Sequence, residues 1–494
     1  CGRACAAPYR ARGCPRPPRG RPGLSARRRY KIQYEAEGAA VPSAFCCVQA
    51  VPPVVRRPKR RFSGRAVRSR IVPYVALYAV LLALHLQFTL GTGDDPMYAA
   101  MLDQYSLAYF SLWHYYTWSA RTLIEAVVCI VEALPAMVWR LADPLCITLC
   151  AACIVRLARL EDRPAGRWAV CGLALCYPWQ DMSSAGWVCT TLVFVWPLLA
   201  ALAALLPLGE SLRGNRPRAW QCAAALPLTL YAANMELLAY LAWCLWAHRR
   251  PHWLAWAQLG LCAANIVYAL TCPGTALRYG NEVTSWFQDY GMRSLWQNFE
   301  LGISAAMSRM VLEPHLLFFV FCVLLACAVW ARYRQPLYRL FSLFPVSAAL
   351  VLGVLGGPLR ALAPRLSFFA DAVTEKGTLT PLNAWTLKRW LPFLLLCAVL
   401  FACALELYLA LGHGAAAYAG VAVYLSGFAS YGAMGFSPSI WASGARSGFF
   451  FAFALAAAGA LVLRALPEKR MPWRVFGCTA AVCALAQCLS LLGA

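Results

Sequence analysis

The chain has 494 residues, of which 61% are apolar and 13% charged, and it carries a formal net charge of +24. A soluble globular protein is only about half apolar, so this composition excludes that class. Many windows of about 20 residues hold little or no charge, which is the length an α-helix needs to cross a bilayer. We therefore predict an all-α, polytopic integral membrane protein.

Residues 1–70 differ from the rest of the chain. They hold 18 Lys or Arg against two Glu and are rich in Pro and Gly. Such a composition buries too little apolar surface to offset the entropy of ordering the chain. Three interpretations stay open: a basic arm for anionic lipid or nucleic acid, a disordered segment, or a non-native segment translated upstream of the true start. We expect the function to reside in 71–494, with no nucleic-acid partner.

Hydropathy predicts about thirteen membrane spans after this segment. They are 71–90, 140–158, 167–178, 187–207, 220–233, 236–247, 252–271, 314–331, 340–358, 391–411, 415–431, 448–466 and 473–493. The 23 cysteines show no paired C-x-x-C spacing of a metal site, and most of those after residue 70 lie inside apolar segments, where they pack as small hydrophobes.

The segment 91–139, between the first two spans, is long and only patchily apolar. Within it, Glu125 and Glu132 fall seven residues apart and thus on one helical face, which favours an interfacial helix over 122–138 rather than a span. With that assignment the positive-inside rule places all the dense basic loops in the cytoplasm. These loops are 159–167, 208–219, 248–251, 332–339 and 464–474.

The loops left on the outer side carry the candidate functional residues, beginning with GDDPMY at 93–98. Pro96 suits the first position of a helix, which predicts that Asp95 is the N-cap of that helix. Asp94 has no such structural role. Because an ionised carboxylate next to hydrocarbon is costly, Asp94 is the first candidate for a functional group.

Further candidates lie in the other outer loops. Each also has a purely structural explanation, such as an interfacial anchor, a helix cap or a hydrated hairpin. Arg is suited to phosphate or carboxylate because its planar guanidinium binds in bidentate fashion. The set comprises Trp118, Arg121, Asp181, Asn234, Glu236, Arg278 and Arg446.

The order of these motifs resembles the GT-C superfamily of polytopic glycosyltransferases, in particular bacterial members without an assigned substrate. The resemblance rests on the outer acidic pair after the first span, the long first outer loop, the W-x-x-R element at 118–121, SAGWVCTTLVFVWP, the PG…RY segment at 273–279 and FSPSIWASGAR. It covers about residues 71–490.

The resemblance implies transfer of a sugar, with inversion, from a polyprenyl-phosphate carrier to a cell-envelope glycan or lipid. It implies that Asp94 or Asp95 is the general base and can bind a divalent cation, Mg or Mn. Arg121, Arg278 or Arg446 would hold the lipid phosphate, with Trp118, Asp181, Asn234 and Glu236 as further binding residues. The site would face the outer side of the cytoplasmic (inner) membrane. A transporter or flippase of a lipid-linked saccharide is the main alternative, and a non-catalytic scaffold is a third.

Overall fold

The computed structural model describes residues 64–232, 252–380, 386–468 and 471–492. The predictions for residues 1–63, Asn234 and Glu236 lie outside the described residues. Within the described ranges the protein is α-helical and contains no β-strand, only an isolated bridge between Thr374 and Gly377. The predicted all-α class is confirmed.

The first half of the described chain contains nine helices. These are α1 (Gly64–His85), α2 (Asp95–Gln104), α3 (Leu107–Thr117), α4 (Thr122–Glu132), α5 (Ala136–Leu157), α6 (Pro164–Leu175), α7 (Trp187–Ser211), α8 (Ala219–Tyr231) and α9 (Trp253–Leu270).

The second half adds eleven helices. These are α10 (Pro273–Trp286), α11 (Leu295–Val311), α12 (Leu316–Arg332), α13 (Pro336–Phe341), α14 (Leu343–Ala348), α15 (Gly356–Leu362), α16 (Ser367–Asp371), α17 (Leu387–Leu411), α18 (Ala415–Gly432), α19 (Phe449–Ala465) and α20 (Met471–Leu492). A π-helical turn (Ala349–Val354) follows α14.

Seven helical stretches in the described part of the chain are long and apolar enough to cross a bilayer, which supports a polytopic membrane protein. They are Ala136–Leu157, Trp187–Ser211, Trp253–Leu270, Pro336–Val354, Leu387–Leu411, Ala445–Ala465 and Met471–Leu492. The pair α11 and α12, whose axes differ by 82°, gives an eighth if it is one broken span.

The predicted number of thirteen spans is not confirmed, although nearly all the predicted spans that fall in the described ranges coincide with helices. The predicted spans 167–178 and 220–233 correspond to α6 and α8, which have 12 and 13 residues. At 1.5 Å per residue these helices are only about 18–20 Å long, short of the roughly 30 Å hydrocarbon core. Hydropathy identifies apolar helices and does not report how far each one reaches.

The segment 91–139 forms three short helices, α2, α3 and α4, none long enough to cross a bilayer. Ser106 separates the first two by capping α3, since its hydroxyl accepts from the backbone N–H of Tyr109. The three helices pack together and against the start of α7. Glu125 is buried, and Glu132 is partly buried beside Asp95.

The central core is formed by α12 and its neighbours α17, α19 and α20. Helices α18 and α19 approach closely because Gly427 has no side chain, and an added Cβ there would overlap Ala454. Helix α7 begins at the end of this bundle where α6 and α20 end. That end carries the site described next.

Candidate functional site

The acidic pair lies against the N-terminus of α7. The backbone N–H of Asp94 donates to the carbonyl of Ala185 at 3.0 Å. The side chain of Asp95 is 1% exposed and accepts from the backbone N–H groups of Cys189 and Val188 at 2.9 and 3.4 Å. A carboxylate at this position satisfies amides that lack intrahelical partners and interacts favourably with the helix dipole.

The predicted N-cap role of Asp95 on its own helix is therefore wrong. Helix α2 starts at Asp95, with Asp94 at the N-cap position and no side-chain capping bond. Asp95 instead caps α7, more than 90 residues away in sequence. Pro96 was predicted at the first helical position and lies at the second, within the first turn of α2.

Gly186 makes this contact possible. It adopts a φ of +99°, which other residues rarely adopt. A Cβ at this position would also overlap the Asp95 carboxylate. The glycine in SAGWV thus brings the backbone onto the carboxylate of Asp95.

Glu132 lies beside Asp95, and the two carboxyl groups interact. Burial, together with the nearby negative charge of Asp95, raises the pKa of Glu132 to about 8. Burial also raises the pKa of Asp95, although the α7 amides counteract this effect. Two adjacent carboxyls avoid a double negative charge by retaining a proton, so the pair favours holding one proton between them.

Glu125 is the centre of a second network, which holds Arg121 in place. Its carboxylate accepts from the Ser119 hydroxyl at 2.9 Å, pairs with Arg121 at 3.3 Å and hydrogen-bonds the ring of His114. Burial alone would raise the pKa of Glu125, but the bond from His114 and the charge of Arg121 outweigh it and lower the pKa. The side chain of Glu125 is 1% exposed and that of Arg121 is 41% exposed, so the cation is the more accessible member of the pair.

Arg278 and Trp118 form the next part of the site. The Arg278 guanidinium lies 5.1 Å from the centre of the Trp118 ring and pairs through Nε with Glu282 at 2.6 Å. Gly274 allows α10 to approach the backbone at Trp118, because a Cβ there would overlap the Trp118 amide. The cation–π contact and the ion pair fix Arg278 while it remains partly exposed.

Arg446 completes an arginine cluster, which we define as Arg121, Arg278 and Arg446. Its guanidinium donates to the Ser184 hydroxyl at 3.4 Å. It lies close enough to Asp94, Arg121 and Arg278 for their charges to act on it. The structure thus brings together residues that are separated by more than 300 positions in sequence. Asp94, whose side chain is exposed, lies beside the cluster.

Asp181 lies outside the arginine cluster, although it is only three residues from Ser184. Its carboxylate pairs with Arg309, which also pairs with Glu313. Burial raises the pKa of Asp181, against the opposing effect of Arg309. Among the other predicted binding residues, Asn234 and Glu236 lie in the range that the structure does not describe.

The residues around the acidic pair do not fit a protein-held divalent cation. Both oxygens of Asp95 accept amide N–H groups and the residue is only 1% exposed, so little of its carboxylate is accessible to a ligand. No group of three His, Cys, Asp or Glu side chains suited to a metal occurs in the described ranges. Asp94 is the one carboxylate of the pair that remains open to a ligand.

Several residues of this region are missing from the sequence prediction. His114 and Ser119 escaped it because nothing local shows that they bind Glu125. Arg309 and Glu313 gave a usable signal, since a charged i,i+4 pair before Pro314 stands next to a highly apolar stretch.

The chain matches no protein-family model, no curated protein and no solved structure.

Proposed function

We propose that the protein is a membrane glycosyltransferase that moves a sugar from a polyprenyl-phosphate carrier to a hydroxyl of an envelope glycan or lipid. The observation that carries the proposal is that Arg446 lies within electrostatic range of Asp94, Arg121 and Arg278, that Arg278 stacks on Trp118, and that Asp94 is exposed. Guanidinium groups suit a phosphate, an aromatic ring suits a sugar face, and a carboxylate can accept a proton.

The proposed step needs only these groups. The acceptor hydroxyl attacks the anomeric carbon, a new C–O bond forms, and the bond from that carbon to the phosphate oxygen breaks. Asp94 takes the hydroxyl proton, and the polyprenyl phosphate leaves with the electron pair of the broken bond. The arginine cluster stabilises the charge that develops on this leaving group. The proposed step does not use a metal ion.

Asp94 is the better base of the pair. Asp95 is buried, and the α7 amides occupy both of its oxygens. Asp94 is exposed, and its own helix makes no bond to its side chain. We assign Asp95 to positioning, because it anchors the loop of Asp94 on the start of α7.

We also propose that the site faces the outer side of the cytoplasmic membrane. The proposed topology includes the additional spans and the interfacial helices that the sequence predicts. The distribution of basic loops supports this orientation. At the far end of α7, Arg213 pairs with Glu210 and Glu161, while Arg163 donates to the carbonyls of Leu463 and Leu466. Basic residues thus gather at the end of the bundle opposite the site, as they do at a cytoplasmic face.

The test is sugar transfer by the protein reconstituted in liposomes. The donors are radiolabelled hexoses linked to polyprenyl phosphate, and the acceptor is an envelope lipid and glycan extract. We expect Asp94→Asn to reduce turnover by about 10²–10⁴-fold, the usual contribution of a general base. The exposed Asp103→Asn, on α2, is the matched control and should retain turnover.

Wild-type turnover in Asp94→Asn protein would refute the base assignment. Movement of the labelled lipid between leaflets without any transfer to acceptor would instead identify a flippase. Chelation by EDTA should leave turnover unchanged, because the acidic pair lacks a metal-ligand set. A loss that added Mg²⁺ restores would contradict this reading of Asp94 and Asp95.

A further inference from the structure

A cavity opens at the same end of the bundle as the arginine cluster. Its volume is about 390 Å³, within the range of small-molecule pockets. The polar side chains that line it are Gln180, Asp181, Arg309, Glu313, His315, Gln487 and Ser490. We call it the Arg309 cavity.

The backbone around the Arg309 cavity is irregular. Helices α11 and α12 meet at an angle of 82°, and Pro314 lies at the break between them. Gly353, in the π-helical turn, approaches so closely that a Cβ there would overlap the carbonyl of Glu313 at 2.7 Å. In a membrane protein, non-helical backbone is tolerated where it is buried in protein or lines a wet cavity, and π-turns are frequent at functional sites.

The charges of the cavity disfavour an anion. Arg309 lies between Asp181 and Glu313 and pairs with both through its two terminal nitrogens. Two carboxylates against one guanidinium leave a local charge of the wrong sign for phosphate. In the arginine cluster, by contrast, Arg121 and Arg278 are more exposed than the carboxylates with which they pair, Glu125 and Glu282.

The neutral polar groups supply both donors and acceptors. The amide of Gln180 donates to Ser490 at 2.8 Å and accepts from Gln487 at 2.7 Å. His315 is buried, and its Nδ1 accepts from the backbone N–H of Phe318 at 3.2 Å. In the neutral ring the proton is therefore on Nε2, which makes His315 a donor. Pro178, Pro314 and Leu316 add apolar surface.

We propose that the Arg309 cavity binds an uncharged, hydroxyl-rich saccharide, namely the acceptor of the transfer reaction. Hydroxyl groups both donate and accept, so they match carboxylates, amides and a histidine together, and the C–H faces of the sugar ring match the apolar walls. The assignment as acceptor rests on the proposed function. Proximity supports it, because residues 181 and 184 of one short loop bind Arg309 and Arg446, respectively.

The test measures saccharide binding in the absence of any donor. Saturation-transfer NMR on the full chain in detergent micelles would use maltotriose, mannotriose and chitotriose as probes, with inorganic phosphate as competitor. We expect at least one trisaccharide to bind with a dissociation constant of about 1 mM or tighter. Phosphate should not displace it.

The variant Gln180→Leu/Gln487→Leu replaces both amides by apolar groups of similar volume, so folding should be retained. We expect it to weaken trisaccharide binding by at least about tenfold, while Gln335→Leu, at an exposed position before α13, leaves it unchanged. Should the double variant misfold, Glu313→Gln serves instead, because Glu313 is 46% exposed and its substitution preserves shape.

Three results would overturn the proposal: no trisaccharide binds the wild type, binding survives in both cavity variants, or phosphate competes. Failure of the proposed function would look different. The trisaccharide would still bind to the wild type, to Asp94→Asn and to Arg446→Gln, but no sugar transfer would be observed.

Discussion

The arginine cluster and the Arg309 cavity use the same residue types in opposite arrangements. In the cluster, Glu125 is buried and Arg121 is partly exposed above it. In the cavity, Arg309 is 20% exposed and lies between Asp181 and Glu313. We propose that the number and the layering of these charges together favour phosphate at the cluster and an uncharged polyol at the cavity.

The largest expected effect on stability comes from removing Arg309. Arg309→Met leaves Asp181, whose side chain is 10% exposed, without its cation. Breaking a partly buried ion pair in this way should cost about 2–3 kcal/mol, because one charge remains desolvated and unpaired. The measurement is denaturant unfolding in detergent micelles.

Lys376→Met is the matched control, since Lys376 and Asp289 form an ion pair whose side chains are 58% and 61% exposed. Its cost should be much smaller than that of Arg309→Met, because a solvent-exposed ion pair contributes little to stability. Equal losses in the two variants would mean that the Arg309 cavity is as well hydrated as the protein surface, and the proposed difference between the two regions would disappear.

The next largest effect is expected on the arginine-cluster side, at Gly186. Gly186→Ala places a Cβ against the Asp95 carboxylate at a φ of +99°. We expect a loss of about 2 kcal/mol from the strained backbone and the displaced cap. Gly260→Ala, inside α9 where an added Cβ meets nothing within 4 Å, is the control and should be neutral or stabilising. Equal stability of the two variants would refute the anchoring role of Asp95.

Arg446→Gln tests the phosphate assignment of the arginine cluster. Loss of one guanidinium should raise the donor KM by about tenfold, about 1.4 kcal/mol, with little change in thermal stability. Arg365→Gln, an exposed arginine of another predicted outer loop, should leave the donor KM unchanged. An unchanged KM in Arg446→Gln would limit the phosphate site to Arg121 and Arg278.

The fold could be predicted to the level of apolar helices, because the apolar length of a segment is a local property. The extent of each helix could not, as α6 and α8 illustrate: each is apolar, but its length is set by where the neighbouring chain turns. Glu125 shows the same limit. Its spacing from Glu132 identifies a common helical face but not whether protein or water covers that face.

The candidate residues were selected from the sequence on two grounds. Asp94 was selected because a charge beside hydrocarbon requires a reason, and the three arginines because a guanidinium suits phosphate. Asp95 was misassigned because its nearest available helix start is in its own segment, whereas the amides that it caps belong to α7. Contacts between distant segments, including that of Gln180 with Gln487, leave no signal in a single sequence.

A pH dependence of stability is expected to arise beside Asp95. The pKa of Glu132 is raised from 4.5 to about 8 in the folded protein. The folded state therefore binds this proton more tightly, and the stabilisation it gives is complete below pH 4.5 and is lost as the pH rises through 8. Thermal unfolding in micelles should show a melting temperature that falls across this window.

Glu132→Gln keeps the shape of the neutral carboxyl and cannot ionise. Its melting temperature should therefore change less between pH 4.5 and 8 than that of the wild type. Asp103→Asn, on the exposed face of α2, should retain the wild-type slope. The two regions differ in the charge next to their carboxyl groups: Asp181 in the Arg309 cavity lies beside a cation, whereas Glu132 lies beside a second carboxyl. A wild-type slope that persists in Glu132→Gln would assign the proton to Asp95 itself, which would then be protonated while it caps α7.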